Sequence, residues 1–397
     1  MTLLNRSSFL FLSLSLIYTS GLLANQIMSE RTYRQLERAQ TLISQQRSTE
    51  ASNLLTKLLS QSKNTYEQAM IHQNIAHMAL NQDNYPKAIQ HFENAVKSNI
   101  LPQPVIGNMQ YNLAQLHAQQ GHFENALRWL EKWLKQARKI TPPTHIFAAT
   151  VYARNNHHAQ AITQVKKALS KSDSAKESWY QLLLSLYLSS QQIDPAIALL
   201  KTLVGLFPTQ KTYWQQLAAL LMQQEKSADA LAVLEMAYQQ KLFTEEAEYQ
   251  HLAKFYLFRD MPYAAANLLN EGIRTQQLKT TVTHLELLAT AWQQAQETTK
   301  ALHTLRVLTK LDPDNMEWPL KLGRLLIAEE QWEEASQTFN LCLQKHPEQT
   351  EQISLLLGIS YAYQKRFEEA RNAFYKAKEY PKIQTQAETW LQHINQL

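Results

Sequence analysis

The chain has 397 residues, 45% of them hydrophobic, with only 7 glycines and 12 prolines. That is enough apolar surface for a buried core but little material for the turns a β protein needs, so the expected fold class is all-α. A net charge of +5 is too mild to indicate nucleic acid by itself, and the single cysteine, Cys342, excludes an intramolecular disulfide and a thiolate metal cluster.

The N-terminal stretch MTLLNRSSFLFLSLSLIYTSGLLANQ carries Arg6, an apolar run from Phe9 to Tyr18 and then small residues before polar sequence. This is the layout of a secretory signal peptide. Cleavage fits after Gly21 or Ala24, which sets residues 1–24 apart from a mature chain; an uncleaved N-terminal membrane anchor is the alternative. Asn25 stands where a bacterial lipoprotein needs a cysteine, so a lipid anchor is not expected. After residue 30 no apolar run approaches the roughly 18 to 20 residues of a spanning helix.

Beyond the leader the chain is periodic. Alanines in one local context recur at Ala51, Ala88, Ala126, Ala161, Ala196, Ala230, Ala265, Ala301, Ala335 and Ala370, at spacings of 34 to 38 residues. Nine residues before them stand Tyr152, Tyr187, Tyr256, Trp292 and Tyr361. Twelve or thirteen before them stand pairs such as Leu113-Ala114, Leu322-Gly323 and Leu357-Gly358, and four after them Phe92, Leu200, Leu234, Phe339 and Phe374. Each set falls three or four residues apart, on one face of a helix, and the small residues allow two helix backbones to approach closely.

These offsets resemble the tetratricopeptide repeat (TPR), one helix (A), a turn and a second helix (B). The resemblance implies a right-handed α-solenoid superhelix of about ten helix-turn-helix units over residues 32–382. The segment IQTQAETWLQHINQL, residues 383–397, reads as a polar-backed C-terminal capping helix. Within FYLFRDMPYAAANLLNEG, residues 255–272, Asp260 and Pro262 read as start signals for a B helix and Ala265 as its close-packing site.

No motif for chemistry is present: no phosphate-binding Gly-rich loop with a following Lys, no G-x-S-x-G elbow and no H-E-x-x-H helix. His72 with His77 and His117 with His122 are five apart, on different helix faces. LDPDN, Leu311 to Asn315, lacks the Gly and bidentate Glu of a calcium loop and reads as a turn between repeats. Trp179, Trp214, Trp292 and Trp332 fall at or near packing positions, and Cys342 reads as a small buried hydrophobe. No catalytic residue, cofactor or metal ligand is assigned, and an enzyme is not expected.

In this repeat class the concave groove is lined by A-helix side chains. Counted here they are Gln73 and His77, Tyr111, Gln115 and Gln119, Gln181 and Ser185, Gln215 and Gln223, Gln250 and Lys254, Gln293, and Arg324. Amides offer donors and acceptors to the main chain of an extended peptide or to a partner helix; ordinary surface glutamines are the competing reading. A protein partner is expected, with no nucleic acid and no small-molecule substrate. The Lys-then-Asn spacing of carboxylate-clamp repeats does not occur.

Charge is uneven along the chain. Arg128, Lys132, Lys135, Arg138, Lys139, Arg154, Lys166, Lys167, Lys171 and Lys176 stand against Glu131 and Asp173, whereas the C-terminal part carries the paired acids Glu329-Glu330, Glu333-Glu334 and Glu368-Glu369. The basic stretch is either a set of solvated helix faces or a surface for an anionic partner.

Six segments extend the resemblance: SERTYRQLERAQTLISQ, KESWYQLLLSLYL, ALLKTLVGLFPTQKTYWQQLA, ALAVLEMAYQQKLFTEE, LAKFYLFRDMPYAAANLLNEGI and LLLGISYAYQKRFEEARNAF. They resemble a family of exported bacterial TPR proteins linked with the TonB energy-transduction system, over nearly the whole mature chain. That resemblance implies a non-enzymatic periplasmic scaffold. Its partners would be the TonB-type transducer or inner-membrane motor subunits, in a complex serving uptake of iron-siderophore or similar cargo through outer-membrane receptors. It transfers no binding residues. A general envelope-assembly or export-associated scaffold is the alternative.

Overall fold

The computed structural model describes residues 28–345 and 350–396; the expected signal peptide, residues 1–24, lies outside the described residues. Among those described there are twenty-one α-helices and no strand. They fall into two compact units, Met1–Ala196 and Ile197–Leu397. Unit 1 holds α1 (Glu30–Ser44), α2 (Ser48–Gln61), α3 (Thr65–Asn81), α4 (Tyr85–Lys97), α5 (Gln103–Gln119), α6 (Phe123–Leu134), α7 (Pro142–Arg154), α8 (His158–Ser170) and α9 (Glu177–Ser189). The division falls within α10 (Ile193–Leu206). Unit 2 continues with α11 (Lys211–Gln223), α12 (Ser227–Gln239), α13 (Glu246–Phe258), α14 (Pro262–Arg274), α15 (Val282–Gln294), α16 (Thr298–Leu311), α17 (Glu317–Ala328), α18 (Trp332–Lys345), α19 (Thr350–Tyr363), α20 (Phe367–Lys378) and α21 (Gln384–Ile394).

Within each unit a helix packs chiefly on its neighbours in sequence, and this is the wiring of a stacked repeat. The even-numbered helices α2 to α20 all begin three residues before one of the ten periodic alanines. All ten alanines are fully buried. Four residues further on, Phe92, Phe339 and Phe374 are the largest wholly buried side chains. A Cβ at Gly323 would meet the Phe339 ring at 2.4 Å, and one at Gly358 would meet the Phe374 ring at 2.6 Å. Glycine here removes the atom that would hold the A and B helices apart.

One device reverses the chain between A and B helices. Five residues before each periodic alanine the backbone turns left-handed, with φ between 54 and 77, and the only glycine among these ten positions is Gly121. In the seventh turn the Met261 N–H donates to the Tyr256 carbonyl at 2.8 Å and the Asp260 N–H to the Leu257 carbonyl at 3.0 Å. The same pair of bonds recurs at all ten turns. It is the Schellman motif, which satisfies the last carbonyls of the A helix.

The reading of Asp260 is corrected by this geometry. Asp260 does not start α14; at φ 55 it is the left-handed residue that closes α13. The reversal takes one residue, so the N-cap position falls on Met261, whose side chain makes no capping bond, and Pro262 occupies the first helical turn. At the C-terminal end of unit 2, Ala387, Leu391 and Ile394 of α21 pack with Ala370, Phe374 and Ala377 of α20.

Candidate partner-binding groove

Gln250, Lys254 and Phe258 stand at i, i+4 and i+8 on α13, a single stripe on the side away from its buried residues Leu252, Ala253 and Tyr256. With Met222 of α11 and Ala247, His251 and Phe255 of α13 they line an open groove of about 410 Å³ in unit 2. Its apolar part is unusually bare: Phe258 is 70% exposed and Met222 39%. Lys254 and His251 are also exposed. An apolar wall beside an ammonium and an amide suits a segment that offers an apolar side chain and hydrogen-bond acceptors.

Two glutamines of this face tie neighbouring A helices together. Gln215 Nε2 on α11 donates to Glu248 Oε1 on α13 at 3.1 Å, beside the Lys211 Nζ–Glu248 Oε1 ion pair at 2.9 Å. Burial pushes the Glu248 carboxyl up, but the Lys211 ammonium and the Glu245 and Thr244 N–H groups outweigh it and hold the group below the usual carboxylate range. On α15, His284 is buried, with Nδ1 2.8 Å from the Lys279 carbonyl and Nε2 2.5 Å from Gln250 Nε2. A carbonyl only accepts, so Nδ1 carries the proton and Gln250 donates to Nε2, which fixes the direction of the Gln250 amide. In unit 1, Gln40 Nε2 donates to Asn74 Oδ1 across α1 and α3 in the same manner.

Comparison with known proteins agrees with this architecture. Residues 74–139 and residues 293–359 each match a tetratricopeptide repeat family. These two segments carry tetratricopeptide repeats. No curated protein matches it. Among solved structures it is similar to YrrB, a TPR protein with an unusual peptide-binding site, at 20% identity over 50% of this chain and 98% of that one, with a TM-score of 0.37. It is also similar to a tetratricopeptide repeat protein from Parabacteroides merdae, at 15% identity over 66% of this chain and 99% of that one, with a TM-score of 0.36. MamA matches at 16% identity over 44% of this chain and 93% of that one, with a TM-score of 0.35.

The other groove residues expected from the repeat stand on successive A helices. In unit 1, Gln73 on α3 and Gln115 on α5 are half-buried, and Gln119 is exposed. His77 meets the edge of the Phe92 ring at 5.1 Å. Tyr111 is packed between Trp133 of α6, at 4.6 Å, and Phe147 of the next A helix, α7, at 5.7 Å, so its ring joins its own pair to the next. On α9, Gln181 donates to Glu177 Oε1 at 3.3 Å and Ser185 to the Leu182 carbonyl at 2.8 Å. In unit 2, Gln223 is exposed at the end of α11, next in sequence to Met222, and Gln293 on α15 and Arg324 on α17 are exposed. Counting repeat positions missed the groove's apolar wall, Met222, Phe255 and Phe258. The available signal was Phe258, a large aromatic four residues after Lys254 on a solvent-facing stripe.

The repeats also place the residues considered for chemistry. Cys342 is buried in α18, and burial pushes its thiol up to about 11. His72 pairs with His91 of the partner helix α4, Nδ1 to Nδ1 at 2.8 Å. Among the described residues no three His, Cys, Asp or Glu side chains are grouped to hold a metal, and no helix is long and apolar enough to cross a membrane. In the LDPDN turn, Asp312 Oδ2 accepts from Trp318 Nε1 at 3.0 Å and Asn315 Oδ1 from the Glu317 N–H at 3.0 Å, which secures the start of α17.

Proposed function

We propose that this chain is a non-enzymatic scaffold that holds protein partners on its A-helix face, as an accessory component of a periplasmic TonB-type energy-transduction complex serving outer-membrane uptake. The binding part of this reading is carried by the unit 2 groove, where the exposed Phe258 ring and Met222 stand beside Lys254 and Gln250. Large apolar side chains left in water next to fixed polar groups are what a partner segment buries. The TonB assignment and the periplasmic location rest on the sequence resemblance and on the leader-like N-terminus. The Cys342 thiol, buried and held protonated at neutral pH, supplies no nucleophile.

The test is a photo-crosslinking residue in place of Lys254 in the full-length chain, expressed in a Gram-negative cell. The expected adducts are transducer or motor subunits, and they are lost when Met222→Ala and Phe258→Ala are added. Adducts confined to synthase or secretion proteins, or undiminished iron-siderophore uptake after deletion, overturn the TonB reading. N-terminal sequencing of exported material tests the location.

A further inference from the structure

The basic stretch between Arg128 and Lys176 becomes a surface in unit 1: all ten cations, and the two acids among them, are exposed. Helix α7 packs on α6 at one side and on α8 at the other. Short connections make α7 run opposite to both, so the C-terminal ends of α6 and α8 emerge at one edge. That edge carries Lys132, Lys135, Arg138 and Lys139 from the first and Lys167 and Lys171 from the second. Cations favour a helix C-terminus, but one or two per helix suffice for that. The Arg34–Glu30, Arg47–Glu50 and His117–Glu93 ion pairs lie elsewhere in unit 1, and at this edge Lys171 Nζ lies 3.1 Å from His145 Nε2.

The character of the edge narrows the partner. Its aromatic rings are already engaged: Lys132 Nζ lies 4.2 Å over the Trp129 ring, which packs on the core, and Trp133 packs on Tyr111. The large exposed hydrophobics of unit 1 are Tyr33, Ile100 and Leu188, all outside the stretch. A protein interface would use apolar or aromatic anchors and is depleted in lysine, and a single-stranded nucleic acid would need free aromatic faces. Five of the six cations named are lysines, hydrated point charges on flexible stems without the fork that reads one phosphate bidentately. Such an array matches a field of mobile anionic headgroups. We infer that this edge docks on an anionic phospholipid surface, electrostatically and without insertion.

The probe is vesicles of phosphatidylcholine with phosphatidylglycerol, against pure phosphatidylcholine, in co-sedimentation of the full chain at low and high salt. The pure phosphatidylcholine arm isolates any contribution of the apolar N-terminal segment. Four exposed side chains are neutralised together: Lys135→Gln, Arg138→Gln, Lys139→Gln and Lys167→Gln. A control variant neutralises Lys226, Lys241, Lys310 and Lys376 of unit 2, and circular dichroism confirms that both variants unfold at the wild-type temperature. Each removed charge is expected to weaken partition onto anionic vesicles about five-fold, so the edge variant loses roughly a hundred-fold or more while the control keeps wild-type binding. High salt abolishes the wild-type excess over neutral vesicles. Unchanged partition of the edge variant overturns the inference, as does tighter binding of the wild-type chain to duplex DNA or to an acidic peptide at the same salt.

Discussion

Gly323 on α17 lies directly beneath the ring of Phe339 on α18, so close that a methyl group at Gly323 would stand 2.4 Å from two ring carbons. Phe339 is wholly buried, so its ring can move aside only by displacing other packed side chains. Gly323→Ala is therefore expected to cost about 1–3 kcal/mol by overpacking. Thermal unfolding followed by circular dichroism checks this against Gly205→Ala, whose added methyl meets nothing within 4 Å. Equal midpoints for the two variants would exclude the close approach.

The left-handed residue of each A–B turn predicts an opposite pair of effects. Glu225 holds φ 60 with a Cβ that disfavours it, so Glu225→Gly is expected to raise stability by about 0.5–1 kcal/mol. Gly121 holds φ +77 with open space where a Cβ would go, so Gly121→Ala loses a similar amount through the backbone alone. The shift of the urea midpoint at constant slope measures both.

Acid is expected to weaken unit 1. Burial lowers the imidazoles of His72, His77, His91, His117 and His145 from their ordinary value, and burial with the neighbouring His72 and Lys87 charges takes His91 down to about 4. At His117 the nearby Glu93 carboxylate, 3.5 Å from Nε2, and at His145 a hydrogen bond to Gln164 Oε1 oppose the burial without reversing it. In the unfolded chain these groups take protons near pH 6.5, so between about 6.5 and 4 the unfolded state binds more protons than the folded one. Stability is fully present above that window and is lost as pH falls through it. The thermal midpoint at about pH 5 is expected below that at about pH 7.5, with the difference reduced in His91→Gln. Identical midpoints would show that the histidines are not buried as neutral groups.

Much of the fold was legible because repeat packing is written in small residues. The ten alanines are where two backbones meet, no larger side chain fits there, and a 34-residue step therefore shows through a variable sequence. The turns were less legible. Nine of the ten left-handed positions hold Gln, Asp, Asn, Glu or Lys in place of the glycine that would mark them, so that in sequence Asp260 reads as the start of the next helix. The groove was half legible: Gln250 and Lys254 follow from helix face and repeat position, whereas the link from Gln250 to His284 spans 34 residues and leaves no local mark.

The sequence by itself determined the helix pairs, their buried faces and the leader-like N-terminus, because helical periodicity and the size limit at close contacts are local properties of the chain. Only the tertiary structure decided which exposed side chains meet. Met222 and Phe258 lie on different helices, and the glutamines of the A face are tied across neighbouring repeats. Such convergence depends on how one pair stacks on the next, a geometry set by packing between repeats.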